Sequence, residues 1–343
     1  MVSQVMLVKS LDLLTSPPML AADFGLESLG LGAPARVNRA RNIIDQKNVV
    51  AVGISDKVSD NGPTGTLAMT FYVDKKKPVD KLKGDEVIPP ALMLGTNDQP
   101  VPTDVVEVGQ PKLEQLPRGK QKPIQPGFSI GHFQTTAGTL GAIVRRGKQY
   151  FLLSNSHVFA QSGTAQLGDR ILYPGKADNG KLSKDVIAHL EEFLAFTLGG
   201  SMVNKADCAI AVPIPDKMAD VIAEIEDLGL PKGTLKPKRG MKVTKSGRTT
   251  GTTKAEVRDV NFRMTLNYPN GVGTVGFLDQ VFCTRYTDGG DSGSLVLEEK
   301  TKKAVGLHFA GYPDAHGVKG SVFSPIQDVL KGLNVKLVTK PIT

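Results

Sequence analysis

The 343 residues carry 42 Lys and Arg against 34 Asp and Glu, a formal net charge of +8, with 40% hydrophobic and 22% charged residues. Such a composition can bury a core, so general disorder is not expected, and the length allows two domains or one large β domain with an appendage. Trp is absent, aromatics make up 6%, and the basic residues are scattered rather than striped, which argues against a base-stacking platform or a nucleic-acid partner.

Residues 1–35 are apolar without a clear pattern and are broken by Pro17, Pro18 and Pro34. A mobile arm or a short interaction helix fits them equally. They lack a basic n-region, and Lys9 and Asp12 interrupt the apolar residues before a secretory h-region could form. No apolar run reaches bilayer length. With only Cys208 and Cys283 to form disulfides, the expected compartment is reducing and the expected localisation cytoplasmic, with no membrane partner.

RVNRARNIIDQK, from Arg36, has apolar residues at helical spacing, and NVVAVGISDKV then switches to strand-like β-branched content. A turn at Asp60-Asn61-Gly62-Pro63 and the alternating run TGTLAMTFYVDKK complete a hairpin, and PTDVVEVG, Pro102 to Gly109, adds one more strand. Residues 36–112 therefore read as a small α/β domain. LEQLPRGKQKPIQPG, residues 113–127, is a Pro-, Lys- and Gln-rich connector. Beyond it, short strands recur: HFQTTAGTLGAIVRR, KQYFLLSNSHVFA, DRILYPG, DVIAHLEEFLAF and KADCAIAVPI. A helix over Asp216 to Leu228, opened by Pro215, interrupts them. Strands resume in MKVTKSGRTTGTTKAEVRDVN, TVGFLDQVFCTRY, SGSLVLEE, KAVGLHFAGY and SVFSPI, and IQDVLKGLNV closes as a helix. Two strand sets predict two small barrels within residues 128–335, split near 213–237, and leave 336–343 as a tail.

Chemistry concentrates in three segments. Asp288-Gly289-Gly290-Asp291-Ser292-Gly293-Ser294-Leu295-Val296 is a glycine-bounded turn running into an apolar strand. A serine hydroxyl needs a base to take its proton, and the oxyanion it generates needs fixed donors. Glycines let the turn aim the N–H groups of Gly290 and Ser292 at one point. In Leu152-Leu153-Ser154-Asn155-Ser156-His157-Val158 a strand ends just before a single His, placed to project into a cleft as general base. His132, His189, His308 and His316 lack that setting, although His308 follows the serine closely enough to line its site. In Lys205-Ala206-Asp207-Cys208-Ala209-Ile210-Ala211 an Asp opens an apolar strand, where a buried carboxylate would hold the imidazole tautomer. Asp169, Asp178 and Asp185 are alternative acids in looser, turn-like contexts.

SNSHV, ADCAIA and GDSGSLV, in that order, resemble the triad segments of trypsin-like peptidases of the chymotrypsin superfamily. NVVAVGISDK, IPPAL, PTDVVEVG, SIGHFQTTAGTLGAIVRR, KSGRTTGTT and VGLHFAG extend the likeness, from about residue 36, to a bacterial family of intracellular trypsin-like peptidases related to the plant narrow-leaf protein. The resemblance implies a mainly β fold, a chymotrypsin-like double β-barrel preceded by a small N-terminal α/β domain. It implies a serine endopeptidase with His157, Asp207 and Ser292 as triad, and a homo-oligomer. It also places Tyr286 at the base of the first substrate pocket, near His308, with Phe309, Ala310 and Gly311 as its wall. No acid stands at that base, so small or apolar residues are expected before the scissile bond.

Two features depart from secreted relatives. The Cys after the catalytic His is missing, and no mature N-terminus exists to pair with Asp291, which must find another cation or stay solvated. If it did neither, the oxyanion site would be assembled only on activation, by oligomerisation or by a ligand; the alternative reading is a protease-like scaffold or peptide-binding protein with conditional or no turnover. No cofactor or metal is expected, since two cysteines without a His cluster fall short of a zinc site and read as buried small hydrophobes.

Overall fold

A computed structural model describes residues 3–16, 34–59, 62–84, 86–94, 99–110, 122–269, 271–312 and 320–342. Most of the expected arm (17–33), the turn residues Asp60 and Asn61 and connector positions 113–121 lie outside the described residues. Helix α1 (Gln4–Thr15) starts where the Ser3 hydroxyl accepts the Met6 N–H, and it buries Met6, Leu7, Leu11 and Leu14, one face at helical spacing. Helix α2 (Pro34–Ile44) buries Val37, Ala40, Ile43 and Ile44 on the same core. Strands β1 (Val49–Ser59) and β2 (Gly62–Val73) form the expected hairpin, and β3 (Ala91–Leu92) and β4 (Val101–Glu107) extend it.

The first barrel is built from β5 (Ser129–His132), β6 (Gly138–Thr139), β7 (Ala142–Arg146), β8 (Gln149–Ser154), β9 (Arg170–Leu172) and β10 (Val186–Phe193). A single helical turn, α3 (Ser156–Phe159), follows β8; β11 (Met202–Asn204) leaves for the second sheet, and β12 (Ala209–Pro213) returns between β8 and β10. The helix expected over Asp216 to Leu228 is only α4 (Pro215–Met218). Beyond it Val221, Ala223 and Ile225 are buried at every second residue, the period of extended chain, and Val221 bridges Ile124. Their apolar side chains thus line the first barrel and the barrel junction, which a helix would turn half of them away from.

The second barrel is closed. Strands β13 (Lys242–Gly247), β14 (Gly251–Tyr268), β15 (Gly273–Thr284), β16 (Leu295–Glu298), β17 (Ala304–Tyr312) and β18 (Gly320–Pro325) run in the order β15-β18-β17-β16-β13-β14, and β14 pairs back to β15. Closure leaves none of the six as a free edge. Strand β14 is long because it serves three partners: besides β13 and β15, β1 joins it at Ala51–Met264 and Val52–Arg263, so the N-terminal strands continue the sheet of the second barrel. Helix α5 (Ile326–Gly332) ends the second barrel, and β19 (Lys336–Leu337) crosses back to pair with β7.

Between the barrels, Ala142, Leu153, Cys208 and Ile210 meet Leu295, Leu297, Leu307, Ile326 and Val329 in one apolar cluster. That shared core fixes the two barrels against each other, and the polar ends of β8 and β12 and the turn before β16 converge at its rim. Both cysteines are free and fully buried; burial pushes their thiols up, as for small hydrophobes. Among the described residues no helix is long and apolar enough to cross a membrane, and no cluster of His, Cys, Asp and Glu could hold a metal.

Candidate active site

His157 sits not at the strand end but one residue into α3, and the reason is Asp207. Its Oδ1 accepts the N–H of Ser156 at 2.6 Å and that of His157 at 3.2 Å, capping the turn as an N-terminal acid does. Its Oδ2 lies 2.6 Å from His157 Nδ1. The Asn155 side chain donates to the Asp207 carbonyl at 2.7 Å, which ties the end of β8 to the start of β12. Asp207 is fully buried and the His157 side chain is 10% exposed, so one carboxylate both builds the helical turn and orients the imidazole it carries. A contact at Nδ1 leaves Nε2 as the nitrogen facing outward.

The Ser292 turn packs against the end of β8 through two glycines. The Ser292 carbonyl accepts the Thr139 N–H at 2.7 Å, and Gly293 N–H donates to the His308 carbonyl at 2.8 Å. A Cβ on Gly138 would lie 2.8 Å from the Ser292 carbonyl oxygen and 2.4 Å from Val158, the neighbour of His157. A Cβ on Gly293 (φ +96°) would lie 2.2 Å from Ser154 Oγ and 2.3 Å from the Thr139 carbonyl. Glycine at both places is what lets the serine turn approach the end of β8. Among the described residues no hydrogen bond joins Ser292 Oγ to the imidazole.

Within the turn, the N–H groups of Asp291 and Ser294 bond to the carbonyls of Asp288 and Asp291. Those of Gly290 and Ser292 have no acceptor among the described residues. Gly290 adopts φ +93°, its carbonyl accepts from Thr139 Oγ1 at 2.7 Å, and a Cβ there would meet Arg248 Nη1 at 1.9 Å. Two unengaged amide donors flanking a nucleophile candidate form a site able to receive an oxyanion.

Asp291 finds its cation. Lys245 Nζ lies 3.2 Å from its Oδ2, and both side chains are fully buried. The carboxylate also accepts the N–H groups of Thr249, Thr250 and Asp288 and the Thr250 hydroxyl, at 2.6–3.1 Å. Burial alone would push this carboxyl up, but Lys245 and the hydroxyl and amide donors outweigh it and hold the carboxyl below the usual range. Arg248 holds Asp178 with two bonds of 2.8 and 2.9 Å, bracing the loop behind Gly290.

Of the four aspartates considered as the acid, only Asp207 meets His157: Asp178 is held by Arg248, Asp169 by His132, and Asp185 by the Lys181 N–H. Tyr286 and His308 come together with ring centroids 6.1 Å apart, both buried, and burial pushes His308 down to about 3, so it stays neutral. Phe309 turns its ring onto Phe277 at 5.0 Å, and Ala310 and Gly311 continue β17. Two residues were not foreseen from sequence. Lys245 lies in KSGRTTGTT, where a Lys inside a β strand was the available signal. Tyr268, whose hydroxyl donates to Asp207 Oδ2 at 2.7 Å, lies 61 residues beyond Asp207 with no local signal.

Residues 117–332 match the family model described as Trypsin. No curated protein matches the chain. Among solved structures, one described as a glutamic acid specific serine protease that uses a histidine triad in substrate binding is 18% identical, with a TM-score of 0.46 over 63% of this chain and 100% of that one. Thermobifida fusca protease A is 22% identical, with a TM-score of 0.45 over 63% of this chain and 99% of that one. Cellulomonas bogoriensis chymotrypsin is 17% identical, with a TM-score of 0.44 and the same two coverages, 63% and 99%.

Proposed function

We propose that this chain, which belongs to the trypsin family, is a serine endopeptidase that cleaves peptide bonds through an acyl-serine intermediate. His157 Nε2 takes the Ser292 hydroxyl proton as Oγ bonds to the substrate carbonyl carbon, and the carbonyl oxygen becomes an oxyanion between the N–H groups of Gly290 and Ser292. Asp207 stabilises the imidazolium, which passes its proton to the leaving amine; water then repeats the sequence on the acyl-serine. The observation that carries this reading is the buried contact of 2.6 Å between Asp207 and His157 Nδ1, which leaves Nε2 to act.

The donors around Asp291 support an oxyanion site held formed without a newly cut N-terminus. A second reading, a peptide-binding scaffold with conditional turnover, draws on the missing hydrogen bond between Ser292 Oγ and the imidazole. Tyr286, uncharged at the pocket base, supports small or apolar residues before the scissile bond. The two buried thiols support a cytoplasmic setting, and the homo-oligomer implied by family likeness belongs to the same proposal. A fluorophosphonate probe decides between the readings. Labelling confined to Ser292 and lost in Ser292→Ala is expected; no labelling of the native protein in any oligomeric state would leave the scaffold. A peptide library cleaved by the parent and not by Ser292→Ala would then define the pocket.

A further inference from the structure

Asp207 Oδ2 has two ligands, and only one of them is the imidazole. Tyr268, at the last position of β14, donates its hydroxyl to the same oxygen at 2.7 Å. The phenol is buried, with Phe196 5.0 Å and Phe277 6.3 Å from its ring centroid, so aromatic neighbours from the 193–197 segment and from β15 fix where its hydroxyl points. Burial, the Asp207 charge and this hydrogen bond push the phenol well above its usual range, which keeps it a donor.

We infer that Tyr268 is a positioning residue for the triad: its hydroxyl, sent from the second barrel, locks the orientation of the Asp207 carboxylate that belongs to the first. The inference rests on the peptidase reading. A carboxylate can turn about its Cβ–Cγ bond, and two amide donors pin Oδ1 but leave Oδ2 to its own partners. With the phenol in place Oδ2 is fixed between hydroxyl and imidazole; without it, one acceptor direction of a buried oxygen loses its donor. The imidazole would then be aimed by a softer contact, and its Nε2 would spend less time where Ser292 needs it. The last residue of β14 thereby becomes part of the proposed catalytic frame.

Tyr268→Phe removes the hydroxyl and keeps the ring. The expected result is a fall of about ten- to a hundredfold in the rate of Ser292 labelling by a fluorophosphonate, the effect of one buried hydrogen bond to a charged group. The melting temperature should fall by a few degrees, the cost of one lost buried donor, and the proton resonance of His157 Nδ1–H, read by NMR on the native chain, should move. Site-specific 3-fluorotyrosine at 268 keeps the ring and strengthens the donor, so it should restore labelling and move the resonance in the opposite sense. A parent-like rate and an unmoved resonance in Tyr268→Phe would overturn the inference, as would a lost rate with an unmoved resonance. Failure of the parent itself to label would instead overturn the peptidase reading, and the resonance would still report whether Tyr268 acts on the His157–Asp207 pair.

Discussion

Replacing Lys245 by Met keeps the aliphatic stem and deletes the charge that faces Asp291. Both side chains of this pair are fully buried, with Nζ 3.2 Å from Oδ2, so the change strands a carboxylate with only neutral donors. Breaking one side of such a pair costs about 3–5 kcal/mol. At about 2–4 °C per kcal/mol for domains of this size, Lys245→Met should melt roughly 10 °C below the parent in calorimetry. The damage should be specific to the nucleophile turn, because Asp291 sits between Gly290 and Ser292, and fluorophosphonate labelling should fall with stability. Neutralising both partners, Lys245→Met with Asp291→Asn, should recover much of the loss, since no charge is then left buried alone. Acid sensitivity gives an independent sign. Asp291 is held below its unfolded value near 3.8, so its contribution is present above that pH and fades as pH falls below it. Without Lys245 the folded carboxyl becomes easier to protonate, and acid unfolding should begin at higher pH. A Lys245→Met protein that melts within about 1 °C of the parent and labels at the parent rate would refute the anchoring role.

Gly290→Ala forces a Cβ to within 1.9 Å of Arg248 Nη1 at φ +93°, so the turn must move its amide donors; labelling should drop by about 10²–10³ with the far-ultraviolet spectrum retained, and an unaffected rate would remove Gly290 from the oxyanion site. His157→Ala should lose orders of magnitude in peptide turnover with the fold intact, which single-turnover kinetics and circular dichroism together would check. Asp259 is fully buried and its carboxyl is pushed up to about 7 by burial, against backbone donors at Asn261 and Ile54 that favour the charged form. The native state therefore keeps a proton that the unfolded chain releases from about pH 4 upward, so stability should decline between about pH 4 and pH 7, by at most about 4 kcal/mol, and level off above. Asp259→Asn should flatten that slope in urea titrations at pH 5 and pH 7.5; an unchanged slope would show that the carboxyl titrates normally.

The residues of the serine turn, the His157 segment and the Asp207 strand start were legible because each has a local signature: glycines around a serine, small polar residues ending an apolar strand, an acid opening one. The strand-rich architecture was legible for the same reason, since period-two burial is written into β-branched runs along the chain. Helical propensity after Pro215 was misleading. Val221, Ala223 and Ile225 were claimed by the barrel cores at extended spacing, and tertiary burial overrode local preference.

What sequence order alone determined is therefore which side chains are candidates for the proposed chemistry: Ser292, His157 and Asp207, with a glycine at 290, where the turn takes φ +93°. What only the folded chain decided is how they are held. Lys245 beneath Asp291 and Tyr268 against Asp207 are separated from their partners by 46 and 61 residues, and α3 exists because the Asp207 carboxylate caps it. Such contacts leave no periodic or local trace, because they arise where two barrels and their shared core bring buried charges and hydroxyls within hydrogen-bond distance, and a buried carboxylate is stable only where donors from distant strands meet it.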